Sequence, residues 1–242
     1  MNYYEVKNKL SSSISKKAEV DKGVKFGENV VIKDNVKIGK DTIIGNNIII
    51  KEDTIIGEDC IIENNSILGD TLISTSSTNG LPPLIMEDNI RIGSNVVILR
   101  GAKIGKNVSI GDLSLIKELV IISQDSVIGS NVIIDRNVLI GKAVEIGSKT
   151  YVSSDTIIED FCSIGINVNF KKEELLISNN KNTDKTRIIV RKGSKIGSNV
   201  TILPGVTISG NVIVFDGSYV IGNLESNKIY SGNPAIEIEN CN

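Results

Sequence analysis

The chain has 242 residues and a formal net charge of −2, with lysines and acids interspersed, so it offers no basic stripe for nucleic acid. Aromatic residues make up only 4% and Trp is absent, which removes base-stacking platforms. The chain contains no His at all, which excludes imidazole bases, Ser-His-Asp and Cys-His machinery and His-based zinc sites. No metal centre is expected.

The first segment, Met1 to Ser13, carries Glu5, Lys7 and Lys9 and no apolar centre, so it does not read as a signal peptide. No uncharged apolar run is long enough to span a membrane, and a cytoplasmic protein is the expectation. From Ile14 an aliphatic residue recurs every sixth position through Val20, Phe26, Ile32, Ile38 and onward to Leu68. The series resumes in phase from Ile92 to Ile164, and a last block runs from Val190 to Val220. These are 29 positions, all aliphatic except Phe26.

Two places before each of these the residue is small or β-branched, as at Val36, Thr42, Cys60, Ala102 and Cys162; directly after it stands a frequent Gly, as at Gly39, Gly57 and Gly141. Each unit therefore reads as a short strand with one large and one small inward side chain. The Gly is expected to supply a corner conformation that other residues avoid. A strict short period of this kind specifies a solenoid. Cys60 and Cys162 occupy the small inward position and read as compact hydrophobes, while Cys241 reads as a free thiol in the tail.

Two interruptions break the series. Residues 70–89 place Ser74 and Gly80 at expected aliphatic positions and contain Asn79-Gly80 and Pro82-Pro83, so a loop is expected, with a degenerate coil as the alternative. Residues 166–187 are polar, rich in Asn and Lys, and shift the phase, which marks a long functional insertion. The organisation read from the chain is a single all-β domain over 1–242, with a lead 1–13, loops 70–89 and 166–187, and a tail 223–242.

Units such as KIGKDT, IIGNNI, TIIGED and AKIGKN resemble the hexapeptide-repeat proteins. That resemblance implies a left-handed parallel β-helix with three hexads per coil, hence just under ten coils here. TRIIVRKGSKIGSNVTILPGVTI and the later IYSGNPA look like the closing coils of acyl-CoA-dependent acetyltransferases, nearest to those that modify sugars and sugar nucleotides. The resemblance implies acetyl-CoA as co-substrate, a sugar or sugar-nucleotide acceptor, and a homotrimer with acetyl-CoA held between neighbouring prisms.

Carried onto this sequence, the resemblance points to Asn167 and Asn169 in the second loop, and Ser148 beside Lys149, as groups that orient an acceptor amine. It points to Gly197, Ser198 and Asn199 for the pantetheine arm, to Arg191 and Lys195 (with Arg187 and Lys192 as further cations) for phosphate, and to Gly232 and Asn233 of the GNPA string. Two departures stand out. The family's usual His base is missing, which favours an amine acceptor over a hydroxyl. GNPA is followed by Ile236 and Glu237 where the family places Lys or Arg. An N-acetyltransferase and a non-catalytic hexapeptide scaffold both remain open from the sequence.

Overall fold

The computed structural model describes residues 12–71, 80–172 and 186–238. Their short strands form a left-handed parallel β-helix with three flat faces. Sheet A contains 11 strands, from Ser13–Ile14 to Tyr219–Val220; sheet B contains 10, from Glu19–Val20 to Thr207–Ile208; sheet C contains 12, beginning at Lys25–Phe26. Each strand but the last pairs in parallel with the one a full coil away, as Lys37–Ile38 does with Ile55–Ile56. Ten spacings of about 4.8 Å make the prism roughly 48 Å tall. Among the described residues no helix is long and apolar enough to cross a membrane.

The sixfold series lies inside. Ile32, Ile38, Ile44 and their successors are at most a few per cent exposed, and Val30, Val36, Cys60 and Val108 fill the small inward sites. Cys60 and Cys162 are buried free thiols, and burial foremost pushes both up, Cys162 to about 11. Inward hydroxyls are satisfied between coils: Ser126 Oγ donates to the Gly141 carbonyl at 2.9 Å and accepts from the Val144 amide at 3.0 Å.

The corners differ from expectation. The left-handed residue is an Asn or Asp two places after the glycine, such as Asp41 (φ 57) or Asn47 (φ 56). These side chains bond from coil to coil: Asn29 donates to Asn47 and Asn47 to Asn65, each at 2.9 Å. The glycines are small for a different reason. A Cβ on Gly39 would sit 2.5 Å from the Gly57 carbonyl carbon of the next coil. Leu113, Leu119 and Phe161 occupy the left-handed site without the side-chain chemistry that favours it.

Both interruptions are narrower than the sequence suggested. Ile85–Met86 is a strand of sheet B, with Leu84 and Met86 inward and buried, so regular winding resumes before Asn89. Asn169–Phe170 is a strand of sheet A with Phe170 fully buried, so the second insertion starts after Phe170. Both insertions leave sheet A and enter sheet B, emerging from the same edge of the prism five strands apart, about 24 Å. Their central parts, 72–79 and 173–185, lie outside the described residues, as do 1–11 and 239–242 with Cys241.

The C-terminal end is closed. Leu224 bridges to Ile208, the Tyr219 amide donates to the Gly232 carbonyl at 2.9 Å, and Ile236–Ile238 pairs antiparallel to Ile229–Ser231. Leu224 and Tyr230 remain in the core, so the expected tail 223–242 starts as part of the winding.

Candidate functional site

Four side chains singled out in the sequence stack on the edge between sheets C and A. Ser148 Oγ accepts from the Ser130 amide at 3.1 Å, and Ser198 Oγ accepts from the Ile166 amide at 3.2 Å. Asn167 (φ 57) donates through Nδ2 to Asn199 Oδ1 at 2.8 Å. Asn167 is exposed and belongs to a corner, not to the second insertion. Asn169 faces outward from sheet A beside Tyr151 and Thr201, adjacent to this edge.

Gly197 lies below Asp216, whose Oδ1 would meet an added Cβ at 2.3 Å, so its lack of a side chain is a packing requirement. Next to it, Lys195, Gly197, Phe215, Asp216 and Ser231 line an open depression of about 520 Å³ on sheet C. Lys195 and Gly197 are therefore brought together with the Ser198–Asn199 corner.

The remaining candidates sit elsewhere. Arg191 is at the edge between sheets B and C, in an ion pair with Glu159 at 2.5 Å, while the neighbouring Lys192 lies over the Phe161 ring, 5.3 Å from its centroid. Gly232 (φ 101) closes the top of sheet A, and its amide donates to Ser218 Oγ at 3.2 Å; Asn233 follows it in the cap. Among the described residues, no group of three His, Cys, Asp or Glu could hold a metal ion.

A second constellation, unmarked by any motif, occupies the edge between sheets A and B that carries both insertions. Asp135 is 5% exposed. Its carboxylate accepts from Lys117 at 3.1 Å, the Tyr151 hydroxyl at 3.1 Å and the Arg136 amide at 2.8 Å, and pairs with Lys172 at 3.7 Å. Burial on its own would push the Asp135 carboxyl up, but the Arg136 amide and the two ammonium groups outweigh it and hold it below the usual carboxylate range. Burial, then the Asp135 charge and hydrogen bond, push the Tyr151 phenol up to about 12.

Lys172 is the first root of the second insertion, so this network ties that insertion to the coil. Arg100 does the same for the first: it donates to the Leu81 carbonyl at 3.2 Å, the Glu52 carbonyl at 2.8 Å and Asp53 at 2.8 Å. The signal for this edge lies in a period of eighteen: after successive sheet A strands the usual Gly gives way to Lys117, Asp135 and Ser153.

The first residue of each sheet A strand, from Ser13 to Tyr219, faces outward without charge, and Val31, Ile49, Ile67, Val97, Leu115 and Ile133 form an unbroken apolar stripe; Asp70, at the bulged end of Ile67–Asp70, is the charged residue among these strands and pairs with Lys51 at 3.2 Å. Sheet C by contrast presents Lys25, Arg91, Glu145 and Lys195.

Residues 35–70 match the family model for the bacterial transferase hexapeptide (six repeats). An Arabidopsis UDP-N-acetylglucosamine acyltransferase has 17% identity to the chain over 95% of it and 72% of that enzyme, with a TM-score of 0.57. AntD, an N-acyltransferase from Bacillus cereus solved with dTDP and coenzyme A, is 24% identical over 62% of this chain and 83% of its own, with a TM-score of 0.43. GDP-perosamine N-acetyltransferase from Caulobacter crescentus, solved with CoA and GDP-perosamine, is 16% identical over 96% and 58%, with a TM-score of 0.25. At these identities the likeness is one of fold, and the Arabidopsis enzyme carries it.

Proposed function

We propose that this hexapeptide-repeat β-helix is an acyl-CoA-dependent acyltransferase that moves acetyl to an amino group of a sugar or sugar nucleotide. The observation that carries the reading is the depression lined by Lys195 and Gly197, with the Ser198–Asn199 corner next in the chain, in the coils that precede ILPGV and GNPA. The enzymes with this winding reported above, two of them solved with CoA, support it.

The chemistry suits a chain without His. An ammonium acceptor gives up one proton and its neutral nitrogen attacks the thioester carbonyl carbon. A C–N bond forms, the C–S bond breaks, and a second nitrogen proton goes to the leaving thiolate. Backbone amides and Asn side chains at the corners are suited to holding the reactants and the developing oxyanion. A neutral hydroxyl would need a stronger base.

The homotrimer belongs to the same reading. Packing three copies around an axis parallel to the prism, with the apolar stripe of sheet A inward, sets the C–A edge of one protomer against the A–B edge of the next at equal height. Ser148 and Asn167 would then face the coils of Asp135 and Ser153 across a subunit boundary.

The scaffold reading has one observation in its favour. Glu237, standing where a phosphate-binding cation is expected, pairs with Lys228 at 2.8 Å. Thermal unfolding with and without millimolar acetyl-CoA separates the two. A ligand at 100 times its dissociation constant adds about 2.7 kcal/mol, a clear rise in midpoint. No rise in a folded sample favours the scaffold.

A further inference from the structure

Two corners that flank sheet A carry side chains ill suited to their backbone. Leu113 (φ 62) and Leu119 (φ 60) stand in the left-handed region, which a branched apolar residue adopts at a cost. The other left-handed residues described on these two edges are Asn, Asp or Gly, with Lys149 the exception. Its own protomer covers little of Leu113, which is 61% exposed between Asn95 and Asn131 of the neighbouring coils. Leu119 lies against Gly101 of the preceding coil and is partly exposed. Both leucines belong to one coil. Leu113 is on the edge between sheets C and A, Leu119 on the edge between sheets A and B, and Leu115 faces outward on the strand Leu115–Ile116 between them. The three form a belt across the whole face, crossing the vertical stripe that runs from Val31 to Ile133. Strained backbone that presents bare apolar side chains marks a surface that a partner covers.

The occupant this geometry selects is a second copy of the chain. Rotation about an axis parallel to the prism preserves height, so it carries the A–B edge of one copy to the C–A edge of the next. Leu113 and Leu119 differ in height by a third of a coil, about 1.6 Å, so one belt runs on into the next. The face also has the size and charge of a stable contact. At about 48 by 20 Å it offers on the order of 900 Å² per copy, against ~800 Å² per partner in a standard interface. Outward residues of sheet B include Glu19, Lys37 and Lys103, and those of sheet C include Lys25 and Arg91, whereas the first residue of each sheet A strand is uncharged. We propose that Leu119 of one copy packs on Leu113 of the next, and that this contact fixes the vertical register of the homotrimer. This rests on the trimer of the proposed function. The register reaches the candidate site: Ser148 lies two coils beyond Leu113, and Ser153 two coils beyond Leu119. The contact that aligns the leucines therefore sets Ser148 of one copy opposite Ser153 of the next, and a slip of one coil would part them by about 4.8 Å.

Asn separates strain from contact, because it suits the left-handed angle and has little apolar surface to offer. Sedimentation equilibrium of the full chain is expected to show a wild-type trimer. Leu113→Asn and Leu119→Asn each remove the contact from three boundaries, so at about tenfold per contact the trimer association constant falls roughly a thousandfold. At a concentration where both chains are monomeric, the urea midpoint of Leu113→Asn is expected level with or above that of wild type. A leucine that served only its own protomer would give a lower one. Orientation is read with a short bis-maleimide in a Cys241→Ser chain. The double variant Leu113→Cys, Leu119→Cys is expected to give a covalent trimer, and each single variant none. A trimer unweakened by either asparagine variant, a lowered monomer midpoint for Leu113→Asn, a double variant that does not cross-link, or a single variant that does overturns the proposal. A wild type that is not a trimer overturns the assembly and this contact with it, while acetyl-CoA binding, measured separately, decides the transferase reading.

Discussion

Replacing Gly147 by Ala isolates the closeness of coil stacking from every other role of glycine. Gly147 does not have a left-handed φ, so the added methyl introduces no backbone strain of that kind. It would instead lie 2.5 Å from both the carbon and the oxygen of the Gly165 carbonyl and 2.6 Å from the Ile166 nitrogen. Those atoms are backbone, pinned by the Gly147 amide bond to Ile164 at 2.7 Å, so the coils must separate locally. Overpacking of this kind costs about 1–3 kcal/mol. Against it stands a gain of about 0.4–1 kcal/mol from a stiffer unfolded chain. Gly222→Ala is the control, because nothing lies within 4 Å of its added Cβ and its φ is also not left-handed, so only the gain remains. Urea unfolding at constant slope is expected to show Gly147→Ala lowered in midpoint and Gly222→Ala level or raised. Equal midpoints would refute the view that glycine is placed after each inward aliphatic to let coils approach.

Asn47→Ala is expected to lose about 1–2 kcal/mol because φ is 56 there, and Asn47→Gly to lose less than half of that, both measured by the same unfolding assay. Phenolate absorbance is expected to show Tyr151 titrating near 12. Its raised value means that its contribution to stability is complete below the ordinary tyrosine range and is lost as pH climbs through 12; Asp135→Asn brings the titration down. Asp135 itself is lowered, so its contribution is present above the ordinary aspartate range and lost as pH falls through its folded value, and Asp135→Asn flattens the acid limb of the stability profile. Cys60 and Cys162 are expected to react with an aromatic disulfide reagent only on unfolding, and reaction in the native protein would contradict their burial. Ile133→Glu on sheet A is expected to dissociate the proposed trimer in light scattering, whereas Val127→Glu on sheet C leaves it intact.

The winding was legible because burial on a three-sided solenoid repeats at a fixed interval, and Ile38, Ile56 and Ile104 report it directly. Met86 and Phe170 keep the interior filled although each lies beside a run of turn or polar residues, so the series as read from the sequence leaves off one strand too far from either insertion. The sequence suggests a conformational role for glycine, but the left-handed angle falls on Asp41 and Asn47, and only interatomic distances between coils reveal what glycine does. Of the candidate site, the Ser148–Asn167–Asn199 edge was legible in part, because the resemblance supplied it. Lys117, Asp135 and Tyr151 were not: they are far apart in sequence, and it takes three hexads per turn to bring residues 117, 135 and 153 onto one line.

The closure of the C-terminal end has a consequence for how this molecule avoids its own kind. A parallel solenoid ends in strands whose amides and carbonyls are already spaced for another copy, the same geometry that lets cross-β fibres lengthen. Leu224, the Gly232 carbonyl and the reversed strand Ile236–Ile238 each take up part of that template, and the reversed strand presents the wrong polarity for further parallel addition. The short cap after Val220 thus acts as a chain terminator: a protein cut there would leave three in-register edges open to a further parallel strand.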